Sequence, residues 1–220
     1  MRRIRTATFT SLDGVIQAPG GPDEDPTSDF RFGGWVQPFW GEDMGPFEQV
    51  IMGEYDLLLG KRTYDIFSAY WPFNQDNPIG EKFQRINKYV VTHSDEPLEW
   101  DNSHKLSGDL AEAVAELKSD GGRDLLIQGS STIYVPLLAA GLIDNLVLMT
   151  FPVLLGEGKR IFDGKEAPGA LKLADHYVTD KGVVIANYEP AGEVPTGTFE
   201  TKPPSEAELE RRAKWSKEGA

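Results

Sequence analysis

At 220 residues, against the roughly 150 that one domain takes, the chain has room for one domain and a short surplus, which excludes a tandem of large domains. Apolar side chains at 40 % and charged ones at 26 % form an ordinary globular mixture able to bury a core, so a disordered chain is excluded too. Thirty-five acids against 22 bases leave a net charge of −13, whose field repels nucleic acid and anionic membrane surfaces.

Cysteine is absent and histidine occurs three times, so no disulfide, Cys nucleophile or metal site is expected. Apolar runs such as Leu57 to Leu59 and Leu137 to Ala140 fall far short of a membrane span. The opening MRRIRTATFT lacks the apolar stretch of a signal peptide, and a soluble cytoplasmic protein is expected.

Ile4 to Thr10 alternates apolar with polar or small side chains and leads into Asp13-Gly14, which predicts a core strand and a turn. Ala18 to Gly34 is rich in Pro, Gly and Asp and too poor in apolar residues to pack; it predicts a long mobile loop that ends anchored by Trp35, Phe39 and Trp40. Phe47, Val50, Ile51 and Tyr55 recur at helical spacing, and Asp56 to Gly60 reads as a buried strand. Helices are predicted from Thr63 to Tyr70 and Glu81 to Asn87, and a strand from Lys88 to Thr92. Asp109 to Ser119 is an amphipathic helix with Asp109 as its cap and Gly121-Gly122 as its stop. A strand from Asp124 to Gln128, a helix from Ser131 to about Ala140, a strand from Leu146 to Val153 and a hairpin of Leu171 to Val178 with Val183 to Tyr188 complete the domain. The order predicts an open, mostly parallel three-layer α/β/α fold with an antiparallel edge, spanning residues 1–190. The remainder, 191–220, loses core character; Ser205 to Lys217, opened by a Ser205/Glu208 capping box, predicts a polar surface helix.

Two turns suggest chemistry. In Leu57 to Tyr64 a buried strand passes through Gly60 into a helix whose first turn carries Lys61, Arg62 and Thr63. Free N–H groups, the helix dipole and two cations there can hold a phosphate; solvated bases at a helix start are the plainer alternative. In Leu125 to Tyr134 another strand turns through Gly129, Ser130, Ser131 and Thr132, where small side chains let a ligand approach the backbone. Two such turns at strand ends of one sheet suit a dinucleotide, and neither is the GxGxxG fingerprint, which disfavours an ordinary Rossmann dehydrogenase.

Gly60-Lys61-Arg62-Thr63-Tyr64 resembles the Gly-Arg-x-Thr-aromatic motif of dihydrofolate reductases, and Ile127 to Tyr134 resembles their second glycine turn. Ser11 to Ile16 and Pro152 to Gly158 are similar to the reductase domain of the bifunctional riboflavin-biosynthesis deaminase-reductase and its stand-alone relatives, a resemblance covering about Arg2 to Glu189. It implies a dihydrofolate-reductase-like fold that uses NADPH to transfer a hydride to a small heterocyclic or carbonyl substrate. A ribosylaminopyrimidine phosphate is the substrate of the nearest resemblance, with a pterin reductase or a non-catalytic dinucleotide-binding module as alternatives. The implied coenzyme contacts are Lys61, Arg62 and Thr63 at the 2′-phosphate and pyrophosphate, and His93 and Ser94 beside the adenosine. Gly129, Ser130, Ser131 and Thr132 are implied across the pyrophosphate, and Ile16 and the backbone near Thr8 to Thr10 by the nicotinamide. Residues 17–35 become the lid, Trp35 and Trp40 walls for a planar ring, Lys159 and Arg160 ligands for a substrate phosphate, and a homodimer is expected.

Two departures stand out: Gly129-Ser130 replaces a glycine pair that often carries a cis peptide, and no clear equivalent exists for the carboxylate that orients a pterin. Asp13, Glu48 and Asp43 are the candidate proton-supplying acids, each with a structural alternative: turn chemistry for Asp13, a solvated face for Glu48 and Asp43.

Overall fold

The computed structural model describes residues 1–162, 164 and 167–218. The first strand is one extended run broken at Ala7: β1 (Ile4–Thr6) pairs in parallel with β6 (Asp124–Ile127), and β2 (Thr8–Ser11) with β7 (Leu146–Phe151). At the break the Ala7 N–H donates to Ile127 O and the Thr6 N–H to Asn145 O, so this run joins two sheets. The first is wholly parallel, in the order β1-β6-β3-β4-β5, with β3 (Tyr55–Gly60), β4 (Lys88–Val91) and β5 (Ser103–Leu106). The second runs β2-β7-β9-β8, where β9 (Val184–Pro190) is antiparallel to both β7 and β8 (Leu171–Val178). The expected mostly parallel sheet with an antiparallel edge is what forms.

Side-chain alternation sorts the core. Leu57 and Leu59 of β3 and Leu126 of β6 join one apolar cluster with Tyr64, Phe83, Phe47 and Trp35. Leu58, Leu125 and Ile127 point the other way and join Val114, Ile133, Tyr134 and Leu137. The first face is covered by α1 (Gly45–Met52), α2 (Lys61–Tyr70) and α3 (Pro78–Arg85), the second by α4 (Leu110–Ser119) and α5 (Ser131–Ala139). Strands buried on both faces read as continuous apolar runs, which is why Leu57 to Leu59 was legible.

Some expectations shift. The helix read through Tyr55 ends at Met52, because Tyr55 is a strand residue whose hydroxyl donates back to Ile51 O at 2.6 Å. The third helix starts earlier, at Pro78, since Asn77 accepts the Ile79 N–H and caps it. β5 was not expected as an element; Ser-His-Lys-Leu carries one apolar residue and gains its order by lying on the edge against β4. Residues 18–34 do pack: Ala18, Asp25 and Phe30 are buried. The tail helix α6 (Glu206–Glu218) has no buried residue, and Ser205 accepts the Glu208 N–H at its start.

At the end of the sheet away from the glycine turns, Lys88 is fully buried and lies 4.2 Å from the Trp100 ring centre, donating to Asp101 O at 2.8 Å. Burial pushes its ammonium down to about 8 from 10.5, against the pull of Asp101 and Asp56. Between these values the unfolded chain keeps a proton that the folded chain has shed, so this group adds stability as pH rises through the window. The urea midpoint of the wild type relative to Lys88→Met is therefore expected to climb from pH 8 to pH 10.5; a constant difference would show that Lys88 titrates normally.

Candidate active site

The chain leaves β3 through α2 and α3 to β4 on one side, and leaves β6 through α5 to β7 on the other. Since β3 and β6 are neighbours, the crevice beyond their C-terminal ends is a topological switch point, the place where open α/β sheets bind ligands. The starts of α2 and α5 face this crevice from opposite layers.

One hydroxyl joins them. Ser130 Oγ accepts the Gly60 N–H at 2.8 Å and lies 2.6 Å from Thr63 Oγ1. A Cβ at Gly60 would stand 3.0 Å from Ser130 Oγ, and one at Gly129 3.3 Å from Thr63 Oγ1, so a side chain at either position would crowd the approach. Gly129 and Ser130 follow one another in left-handed conformation, at φ 73° and 74°, and no cis peptide occurs among the described residues. The turn that departs from the family's glycine pair is thus built from two consecutive left-handed residues.

The remaining caps show what this costs. Asn77 caps α3 and Asp109 caps α4, each with its side chain, whereas α1, α2 and α5 have no side-chain cap. Ser130 is a natural capping residue at a helix start, yet its hydroxyl points across to Gly60. First-turn N–H groups of α2 and α5 thus stay free of side-chain partners at the positive ends of two dipoles. With Thr63, Ser131 and Thr132 beside them, the donors suit a diphosphate.

His93 lines a recess of about 260 Å³ between the end of β4 and the start of α4, with Val91, Leu106, Gly108, Asp109 and Ala113. Ser94 closes its own turn by accepting the Glu96 N–H. Lys61 pairs with Asp65 at 2.7 Å and Glu96 at 3.2 Å. Arg62 reaches Asp25 and Thr27.

The loop carries a residue that the sequence reading missed. Asp25 is buried, and it is held by Lys159 Nζ, by Arg62 at 3.3 Å and by Thr27 Oγ1 at 2.6 Å. Burial by itself would raise the Asp25 carboxyl, but the bonds from Lys159 and Thr27 outweigh it and hold it below the ordinary range. Buried Gln17 donates to the Asp25 and Thr27 carbonyls, both at 2.9 Å, accepts the Lys159 N–H, and offers its own carbonyl to Trp35 Nε1. The loop was read as unpacked because polar residues carry its contacts, and no apolar pattern announces them. Ile16 is tied in by its N–H to Lys159 O.

The candidate acids and bases are already engaged. Asp13 accepts from Ser11 Oγ, the N–H groups of Leu155 and Gly156, and Arg160. Burial raises its carboxyl and these donors lower it by more, leaving it far below the usual range, and their bonds tie the turn after β2 to residues 155–160. Asp43 accepts the Asp180 N–H and ties the β8–β9 turn. Glu48 is exposed, on the solvated face that was its structural alternative, because α1 turns Phe47 and Ile51 to the core. Lys159 and Arg160, the expected ligands of a substrate phosphate, are paired with Asp25 and Asp13. Trp35 packs edge-on against Phe151 as a plug, and Trp40, partly exposed, packs on Phe9 and Phe47.

Sheet order, switch point and paired helix starts define a dihydrofolate-reductase-like α/β domain. Among solved structures the chain resembles a Shewanella sp. PV-4 protein named for riboflavin biosynthesis, with a TM-score of 0.61 and 21 % identity over 87 % of this chain and 99 % of that one. Enterococcus faecalis dihydrofolate reductase, solved with NADP(H) and RAB-propyl, matches with a TM-score of 0.53 and 16 % identity over 86 % of this chain and 96 % of that one. The model of the RibD C-terminal domain family matches residues 2–185, and the chain belongs to that family. The uncharacterized protein YyaP of Bacillus subtilis (strain 168) is 25 % identical over 191 residues, 85 % of this chain and 94 % of that protein.

Replacing Asp25 by Asn removes the charge that holds Lys159 and Arg62 to the loop. A partner lost from a buried polar cluster costs about 1–3 kcal/mol, here paid by local opening. Amide hydrogen exchange over residues 18–34 is expected to accelerate while β3 and β6 remain protected; unchanged exchange in the loop would rule out the clamp.

Proposed function

We propose that this chain is a nicotinamide-dinucleotide-dependent reductase that prefers NADPH and acts on a small heterocyclic or carbonyl compound. The observation that carries the reading is the Ser130 bridge: it brings two helix starts without side-chain caps together at the switch point, a geometry that fits a pyrophosphate. Family membership supports the same reading. The coenzyme supplies a hydride when bound.

The chain's own contribution is placement. First-turn N–H groups of α2 and α5, with Thr63, Ser131 and Thr132, hold the diphosphate, and the His93 recess takes the adenine. Lys61 and Arg62 meet the 2′-phosphate by exchanging carboxylate partners for it. The clamped loop, with Ile16 and Trp35, shields the reacting face from water. Asp13 stays ionised, so the proton that completes the reduction comes from a weaker acid or from solvent.

The structure also weighs between substrates. α1 presents Phe47 and Ile51 to the core and leaves Glu48 outside, which speaks against a carboxylate placed to orient a pterin and disfavours pterin reduction. A ribosylaminopyrimidine phosphate fits the family, though its phosphate must displace Asp25 from Lys159 or Asp13 from Arg160. All eight residues of β8 are exposed, Leu171, Leu173, Tyr177 and Val178 among them, and we place the homodimer contact on this edge strand. No helix of the described residues is long and apolar enough to cross a membrane.

Calorimetry with NADPH and NADH tests the reading directly. Lys61→Ala with Arg62→Ala removes charge-assisted bonds worth roughly 1.5–3 kcal/mol each, so NADPH is expected to weaken by at least about tenfold and NADH much less. Equal losses would remove the 2′-phosphate contact, and no uptake of either coenzyme by the wild type would remove the reductase.

A further inference from the structure

Among the described residues, buried side-chain polar atoms without a hydrogen-bond partner are Arg2 Nη1, Arg5 Nε, Ser103 Oγ and Gln128 Oε1. The arginines have carboxylates within 3.9 Å, Asp56 for Arg2 and Asp124 for Arg5. Ser103 begins β5, at the opposite end of the sheet from the glycine turns. Gln128 differs on both counts: no charge compensates it, and it follows the last residue of β6, directly before Gly129 and Ser130. It stands one residue beyond β6, where the chain enters the turn whose Ser130 hydroxyl meets Gly60 and Thr63. An acceptor buried without a donor costs about as much as a lost hydrogen bond, and in native structures such an atom calls for an explanation.

We propose that Gln128 is a specificity-determining residue whose carboxamide pairs with the amide edge of a ligand, an N–H donor beside a C=O acceptor. A carboxamide offers one acceptor and donors in one plane, so its complement is another amide: the carboxamide of a nicotinamide or the lactam edge of a pyrimidinedione ring. The proposal rests on the reductase reading for the identity of those ligands, but the orphaned oxygen stands without it. A structural glutamine would be bonded inside the protein; this one keeps its bonding capacity for what enters the crevice.

Gln128→Met keeps length and removes the amide. In the ligand-free protein the melting temperature is expected to stay level or rise by about 2–4 °C, the shift per kcal/mol for a chain of this size. A clear fall would overturn the proposal by making Gln128 a structural residue. Binding then separates the two ligands. If the nicotinamide is read, the variant binds NADPH about tenfold more weakly while 2′,5′-ADP, which lacks the nicotinamide, is held as before. If the pyrimidinedione is read, NADPH binding is unchanged and uracil binding in the presence of NADP⁺ falls about tenfold. If neither ligand weakens, Gln128 reads nothing and the proposal fails. A wild type that takes up no NADPH or 2′,5′-ADP sinks the reductase reading instead, and uracil alone then decides for Gln128: weaker binding to the variant supports it, and no binding to the wild type overturns it.

Discussion

The hydroxyl of Ser130 sits where the two halves of the sheet part company, and its two contacts, to the Gly60 N–H and to Thr63, fix how closely the starts of α2 and α5 approach. Serine holds a left-handed backbone there at φ 74°, a conformation that costs a side-chain-bearing residue about 1–2 kcal/mol. The same hydroxyl forgoes the cap it could have given its own helix. Strain and a missing cap at one residue are local losses, tolerated because they leave two positive helix ends open to the same crevice.

Charge at the crevice follows from exposure. The chain is strongly acidic, and each cation near the turns already has a carboxylate, but the pairs are unequal. Lys61 is bound to Asp65 and Glu96, whose side chains are 52 % and 72 % exposed; such pairs are worth about 0–1 kcal/mol and yield readily to a better anion. Asp25, at 8 % exposure, binds Lys159 from within the protein, and removing its partner leaves a buried charge behind. Lys61 is therefore the more loosely held cation, while Lys159 belongs to the loop.

Apolar periodicity made most of the fold legible. Leu57 to Leu59 and Leu125 to Ile127 could only be strands covered on both sides, and the Asp109 cap with Glu112 three residues on gave α4 its start. Ser103 to Leu106 escaped because an edge strand needs little burial and so leaves little pattern. At the site, Gly60 to Thr63 and Gly129 to Thr132 were visible as small-residue turns after strands. That Ser130 joins them was not, since pairing β3 with β6 is a long-range choice recorded in no local motif. Asp13, Asp43 and Glu48 stand out in the sequence only as acids in nearby segments, and residue type alone cannot tell an acid that holds a turn from one that gives up a proton. Asp25 and Gln17 were hidden by the opposite error: a stretch rich in Gly, Pro and Asp looks unpacked when its anchors are polar.

Arg62 links the loop to the crevice. It stands in the first turn of α2, beside the N–H groups suited to a diphosphate, and its guanidinium reaches Asp25 and Thr27 of the loop. An anion that draws Arg62 toward the helix start takes one of the bonds that hold Asp25, while Lys159 and Gln17 keep the others. Linkage makes this reciprocal: whatever loosens the loop frees Arg62 for the anion by the same free energy. Because Asp25 keeps Lys159 when Arg62 leaves, such an exchange would loosen the loop without leaving a buried carboxylate unpaired.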